Sequence, residues 1–415
     1  MPTSGRGIVL STARPTDVTD VCVIGAGLAG LSAAHHLTSA GLRVTVVEAA
    51  DRVGGRMATD EVDGFRLDRG PQLLNSSYPE LRRTPGLQGL PLRPFAPGAV
   101  VRSSGTRTGT RALDRARLRS ALGKLAATPP ERLLARPETT AAAALSAAFA
   151  PRAVDGFLRP LLTALLCDAE LGTSSRCADL VLRGFAKGRT CLPAGGAAVV
   201  PRRLAAALPP GAVRLGVRAV TAATNGVLTE DGGFLAARGV IVATGASAAG
   251  ALLPGLRVPD FHGVTVVHHA APHAPLREPS LVLDADRRGP VSHSIPASVI
   301  DPSRAPVGRA LVTSVILGPP APDLLVRAHL ADLYGVPTTG WELLAVHHDP
   351  EAVPAMPAPH DLRRPVRVLQ GLYVCGDHRD TSTVQGALLS GRRAAFRALR
   401  DLGIRPGYGA VPIAA

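Results

Sequence analysis

Residues 20–56, DVCVIGAGLAGLSAAHHLTSAGLRVTVVEAADRVGGR, decide the fold of this chain. Val21 to Ile24 is a short apolar run of the kind that forms a buried parallel strand. Gly25, Gly27 and Gly30 follow at G-x-G-x-x-G spacing, where a strand must turn into a helix. The first glycine makes the tight turn, the second lets a pyrophosphate approach the backbone, and the third lets helix and strand pack closely. Ala26, Leu28 and Ala29 complete the loop, whose free N–H groups and helix dipole favour phosphate. Leu31 to Ala40 reads as the helix, Gly41 as its end, and Val44 to Val47 as the second strand. Glu48, with Ala49 beside it, stands at the tip of that strand, where a carboxylate accepts from ribose hydroxyls and repels a 2′-phosphate. A structural Gly-rich turn is the alternative, since 44 of 415 residues are glycine. The strand before, the helix after and the acid at its distance favour a dinucleotide site.

The next residues bear on which dinucleotide. Glu48, Arg52, Gly54, Gly55 and Arg56 spell E-x-x-x-R-x-G-G-R. The glycine pair lets the chain pass close to a cofactor, and Arg56 can offer a charge-assisted hydrogen bond to a diphosphate or nearby backbone. A solvated Arg-rich turn is the plainer reading. The pattern resembles the extended fingerprint of the FAD-dependent amine oxidase, phytoene desaturase and protoporphyrinogen oxidase superfamily. Three further stretches resemble the same superfamily in the same order. They are Gly70-Pro71-Gln72 after Asp68, the strand and turn GVIVATG ending in Thr244-Gly245, and GLYV-Cys375-Gly376-Asp377 before a glycine-punctuated helix.

That resemblance implies noncovalent FAD and an α/β fold: a Rossmann-type, glutathione reductase-like FAD-binding domain with an interleaved α+β substrate domain. It places Asp377 against the ribityl–phosphate region. Val384, Gln385 and Ala387 fall at the start of a helix directed at the flavin ring, whose dipole would stabilise the anionic reduced flavin. The segment VRLGVRAV is expected to meet the adenine through Ala219. Residues 1–80, 190–250 and 365–415 are expected to build the FAD domain, and 81–189 and 251–364 the substrate domain. The first insertion reads as mainly helical; the second is strand-rich (VTVVHHAA, SLVLDAD, VSHSIPAS, ALVTSVILG), with APDLLVRAHLADLY as an amphipathic helix. Residues 1–18 read as a frayed terminus.

Composition limits the other classes. The net charge of +14 comes almost wholly from arginine, because Lys124 and Lys187 are the only lysines. The arginines are scattered and aromatic residues are few, which argues against nucleic acid. A basic surface still suits anionic membranes or acidic substrates, so peripheral membrane contact through the helical insertion stays open. Cys22, Cys167, Cys177, Cys191 and Cys375 show no metal-ligand spacing, and no metal is expected. Their odd number and the lack of a signal peptide point to a reducing, cytoplasmic setting.

Direct transfer of a hydride to flavin N5 needs no triad and no metal. No catalytic residue is assigned. Paired histidines occur at 35–36, 268–269 and 347–348, and surface or core roles suit them better than catalysis; if one matters, it is His347 or His348. Lys187 sits at a helix end where a basic residue is already favoured. Amine oxidases of this superfamily commonly carry an aromatic residue before the final helix, where this chain has Ser382-Thr383-Val384. With Asp377 in place of glutamate, this pulls the chain toward the phytoene desaturase side, and DGFLRPLLTALL and LPAGG resemble phytoene dehydrogenase-like proteins. The expected function is an FAD-dependent oxidase, dehydrogenase or desaturase acting on a hydrophobic or amphipathic small molecule, the electron acceptor unspecified. A flavin amine oxidase, a non-redox flavoenzyme resembling UDP-galactopyranose mutase and a non-enzymatic escort-type protein remain as alternatives.

Overall fold

The structure, a computed structural model, describes residues 19–103 and 112–405; the terminus read as frayed lies outside them. Thr19–Ile24 forms the central strand of the parallel part of a mixed eight-stranded sheet. Val44–Val47 and Val213–Arg214 follow on one side, Phe234–Val242 and Leu372–Val374 on the other, all parallel. The alternation of side chains along the first strand makes two cores. Val21 and Val23 pack with Leu31, Leu37, Leu388 and Ala395. Cys22 and Ile24 pack on the opposite face with Val227, Ala249 and Leu253.

The helix after the first strand is Leu28–Ser39, starting three residues earlier than its apolar run suggests because the glycine loop itself supplies the first turn. Gly25 turns the chain at φ +105°, a conformation that strains any side chain. At Gly30 a Cβ would lie 2.0 Å from the Gly25 carbonyl oxygen, so only glycine lets helix and strand approach this closely.

A second, six-stranded sheet runs Glu342–Pro354, Phe261–Ala271, Ala310–Leu317, Val291–Ile295, Val282–Asp284, Val100–Arg102. Its pairings are antiparallel except the last, in which a strand from the mainly helical insertion joins in parallel. The helices Arg159–Leu166 and Ser175–Lys187 share an apolar core with this sheet, through Leu161, Leu162, Leu182, Leu283 and Leu311. A smaller, three-stranded sheet pairs Thr190–Pro193 with Leu74–Asn75 and Leu92–Pro94. No helix among the described residues is long and apolar enough to cross a membrane.

Candidate active site

The glycine loop, the tip of the second strand and the start of the C-terminal helix open onto one cavity of about 780 Å³. Gly25, Gly27, Leu28 and Ala29 form part of its wall. No side chain caps the helix that starts at Leu28, so its first N–H groups are unsatisfied donors at the cavity. A Cβ at Gly27 would meet nothing within 4 Å, which leaves the loop open to a ligand's close approach. Ala26 and Gly30 sit behind this wall. The Ala26 N–H donates to Glu48 Oε2 at 2.7 Å.

Glu48 lines the cavity and has a second duty that its position in the sequence does not reveal. Its other oxygen, Oε1, accepts from the Ala50 N–H at 2.9 Å, so the carboxylate fastens the glycine loop to the strand tip. The backbone of Glu48 also binds the next wall: its carbonyl accepts from the Val217 N–H at 2.8 Å. This places Ala219, along with Val217 and Val220, on the same cavity. Ala49, Thr244 and Gly245 complete this end of the wall.

Further along stands Arg56, which donates through Nη2 to both oxygens of Asp377 at 2.7 Å and through Nη1 to the Ala352 carbonyl at 2.7 Å. Asp377 holds the guanidinium firmly protonated, with Asp349 and Glu351 contributing. Gly55, Arg56, Ala352, Gly376 and Asp377 therefore meet on one wall from three distant parts of the chain. Thr383 caps the helix Val384–Asp401, accepting from the Gly386 N–H at 3.1 Å, and Thr383, Val384 and Ala387 face the cavity. Gln385 has a different partner: its Oε1 accepts from the Glu80 N–H at 3.0 Å. Arg52 donates to the carbonyls of Gly55 and Val53.

Pro71 and Gln72 line the main cavity and also a smaller one of about 420 Å³ beside it. That side cavity holds Arg52, Gly70, His347 and His348. Neither histidine reaches the main cavity wall. His348 Nδ1 bonds to Thr265 Oγ1 at 2.9 Å, and His347 packs edge-on against His268. Lys187 is exposed at its helix end, off the cavity wall.

The far half of the main cavity is built mainly by residues the sequence did not single out, the exception being the apolar stretch DGFLRPLLTALL, whose end reaches the wall. Leu73, Asn75, Tyr78, Val181, Phe185 and Thr190 line it, together with Ala164 to Cys167 at the end of a helix. Phe157, at the start of that apolar stretch, packs instead against Phe185. Burial pushes the Cys167 thiol and the Tyr78 phenol each up to about 12, so both stay protonated. The other four cysteines are buried away from the cavity; Cys375 is fully enclosed in the core between sheet and C-terminal helix.

The wall fits a dinucleotide carrying a ring system: a Gly27 cradle with free N–H donors, an acid at each of two turns, and a second helix start facing the same space. Comparison with known proteins agrees. A family model described as flavin-containing amine oxidoreductase matches residues 28–399. Over 57 residues the chain is 60% identical to a phytoene dehydrogenase of Streptomyces griseus, covering 14% of this chain and 11% of that protein. Over 62 residues it is 52% identical to a putrescine oxidase of Kocuria rosea, covering 15% and 13%. The matched segments thus span little more than a tenth of these relatives' length. In overall fold it is similar to cyclohexylamine oxidase from Brevibacterium oxydans IH-35A, with TM-score 0.70 and 21% identity over 93% of this chain and all of that one.

Proposed function

The chain belongs to the flavin-containing amine oxidoreductase family, and from that premise we propose that it is an FAD-dependent oxidoreductase acting on a hydrophobic or amphipathic small molecule. The observation that carries this reading is the continuity of one cavity, from the phosphate-binding glycine loop to an apolar wall at Leu73, Leu166, Val181 and Phe185. When bound, FAD supplies the two-electron acceptor, taking a hydride from the substrate. The protein's part is to bind, orient and exclude water. The Gly27 loop cradles the diphosphate, Glu48 and Ala219 flank the adenosine, and Arg56 with Asp377 positions the ribityl–phosphate segment. Thr383, Val384 and Ala387 bring the helix start to the ring, with Pro71 and Gln72 beside it.

Attachment is noncovalent on this reading, because Cys375 is enclosed and its thiol is pushed up to about 12 by burial. The division into an FAD domain (1–80, 190–250, 365–415) and a substrate domain (81–189, 251–364) belongs to the same proposal. So does a cytoplasmic location with peripheral membrane contact. The two larger sheets, each drawn from one of these sets of segments, support the division.

The visible spectrum of the purified protein tests the reading. Oxidised flavin bands, release of FAD on acid precipitation, and anaerobic bleaching by an apolar donor are expected. A colourless protein that takes up no added FAD overturns it in favour of a binding role.

A further inference from the structure

The apolar half of the cavity has a polar corner. Asn75 and Thr190 are direct partners across an antiparallel pair, which places their side chains on one face of the sheet. Tyr78 joins them: a Cβ at Gly184 would lie 3.9 Å from Tyr78 Cε1 and 4.0 Å from Asn75 Cγ, so both side chains flank the same point of the helix Ser175–Lys187. All three residues line the cavity. Asn75 Oδ1 is committed, accepting from the N–H of Ser77 at 2.9 Å and its hydroxyl at 2.7 Å. That fixes the amide orientation and leaves Nδ2 as a donor. Among the described residues, Asn75 Nδ2, Tyr78 Oη and Thr190 Oγ1 have no hydrogen-bond partner, yet none is among the sealed orphan atoms.

Charge is distributed unevenly along the same wall. Arg56, Asp349, Glu351 and Asp377 cluster together at the cofactor half. Around the polar corner the wall offers Leu73, Leu166, Val181 and Phe185, with no charged side chain. An ammonium or carboxylate placed there would lose its hydration without a counter-ion. A neutral oxygen would instead meet up to three donors.

We infer that the substrate is an uncharged apolar molecule carrying a hydroxyl or carbonyl oxygen, which Asn75, Tyr78 and Thr190 hold while the apolar body lies along Leu73, Val181 and Phe185. This rests on the oxidoreductase reading and narrows its substrate class. It sets this site apart from one built to receive a charged amine.

The test uses the full-length FAD-loaded protein at pH 7.5 and follows the visible flavin bands as four probes of one chain length are added: 1-octanol, 2-octanone, octylammonium and octanoate. One of the two neutral probes is expected to bind at least tenfold tighter than either ion, and which one does so distinguishes hydroxyl from carbonyl. Tyr78→Phe and Thr190→Val should each weaken that binding by about three- to tenfold, the worth of one hydrogen bond, with FAD content unchanged. Tighter binding of octylammonium, variants that bind like the parent, or flavin bands undisturbed by every probe would each overturn the inference and leave the oxidoreductase reading standing. Absence of flavin bands altogether would remove both.

Discussion

Two glycines three residues apart should fail in opposite ways when changed to alanine. At Gly27 the backbone is extended (φ −75°, ψ 179°), a conformation alanine adopts, and the added methyl meets nothing within 4 Å. The apoprotein should lose only the difference between glycine and alanine as N-cap, about 0.5–1 kcal/mol. The methyl nevertheless occupies the space through which a diphosphate reaches the loop. Losing one or two charge-assisted hydrogen bonds there costs about 2–4 kcal/mol, roughly 30- to 700-fold in FAD affinity. At Gly30 the methyl would lie 2.0 Å from the Gly25 carbonyl oxygen and 3.1 Å from Ala243 Cβ. That oxygen is backbone in a sheet-anchored turn, so the helix must retreat by about 1 Å, with an overpacking cost of about 1–3 kcal/mol. Gly30→Ala should therefore lower the denaturant midpoint of the apoprotein clearly more than Gly27→Ala, whose shift should stay within that of the N-cap difference. FAD titration of both apoproteins and urea unfolding would decide. FAD affinity within threefold of the parent for Gly27→Ala, or an unshifted midpoint for Gly30→Ala, would refute the steric reasoning.

Arg56→Lys should weaken FAD binding by about 5- to 30-fold in titration, since an ammonium cannot hold both Asp377 oxygens and the Ala352 carbonyl at once; Asp377→Asn should do the same. All five cysteines are buried, with thiols pushed up to about 12. A thiol-reactive aromatic disulfide should accordingly find none in the native protein and all five in denaturant. Stability should fall as pH drops from about 6.5 to 4. His268, His293 and His378 are held near 4 by burial, so in that window the unfolded chain binds protons the folded one refuses. Asp380 works the other way: burial raises it to about 6, so its contribution declines as pH rises from about 4 to 6, and Asp380→Asn should steepen the net acid loss seen in urea midpoints.

The parts of the site written in consecutive residues were legible. Gly25, Gly27, Gly30 and Glu48 serve steric and register needs of one βαβ unit, and those needs leave a fixed spacing. The strands Phe261–Ala271 and Ala310–Leu317 were legible for a similar reason, being long β-branched runs bounded by turn residues. What depended on distant partners was hidden. Asn75 and Thr190 become neighbours only because strands of two and four residues pair across more than a hundred positions. Nothing local in either segment signals that pairing. Gln385 lies in a legible motif, yet its side chain is taken by the Glu80 N–H, a contact set by helix packing. His347 and His348 stood out as a pair, but alternation along their strand leaves one bonded to Thr265 and the other against His268, in a cavity of their own.

The charges around the cofactor half explain why the glycine loop should matter more than the arginine. Arg56 is already neutralised by Asp377 at 2.7 Å, and Asp349 and Glu351 add further negative charge on the same wall. A diphosphate entering this space meets little net positive charge from side chains. Its attraction must come chiefly from backbone N–H groups: those left free at the start of the helix Leu28–Ser39 and those at the start of Val384–Asp401. Such donors are fixed by the fold and cannot be replaced by a mobile cation nearby. The overall charge of +14 therefore contributes little to cofactor retention, because it resides on arginines outside this wall. Arg56 acts mainly as a strut that fixes Asp377 against the Ala352 carbonyl and so ties the two ends of the chain together at the site.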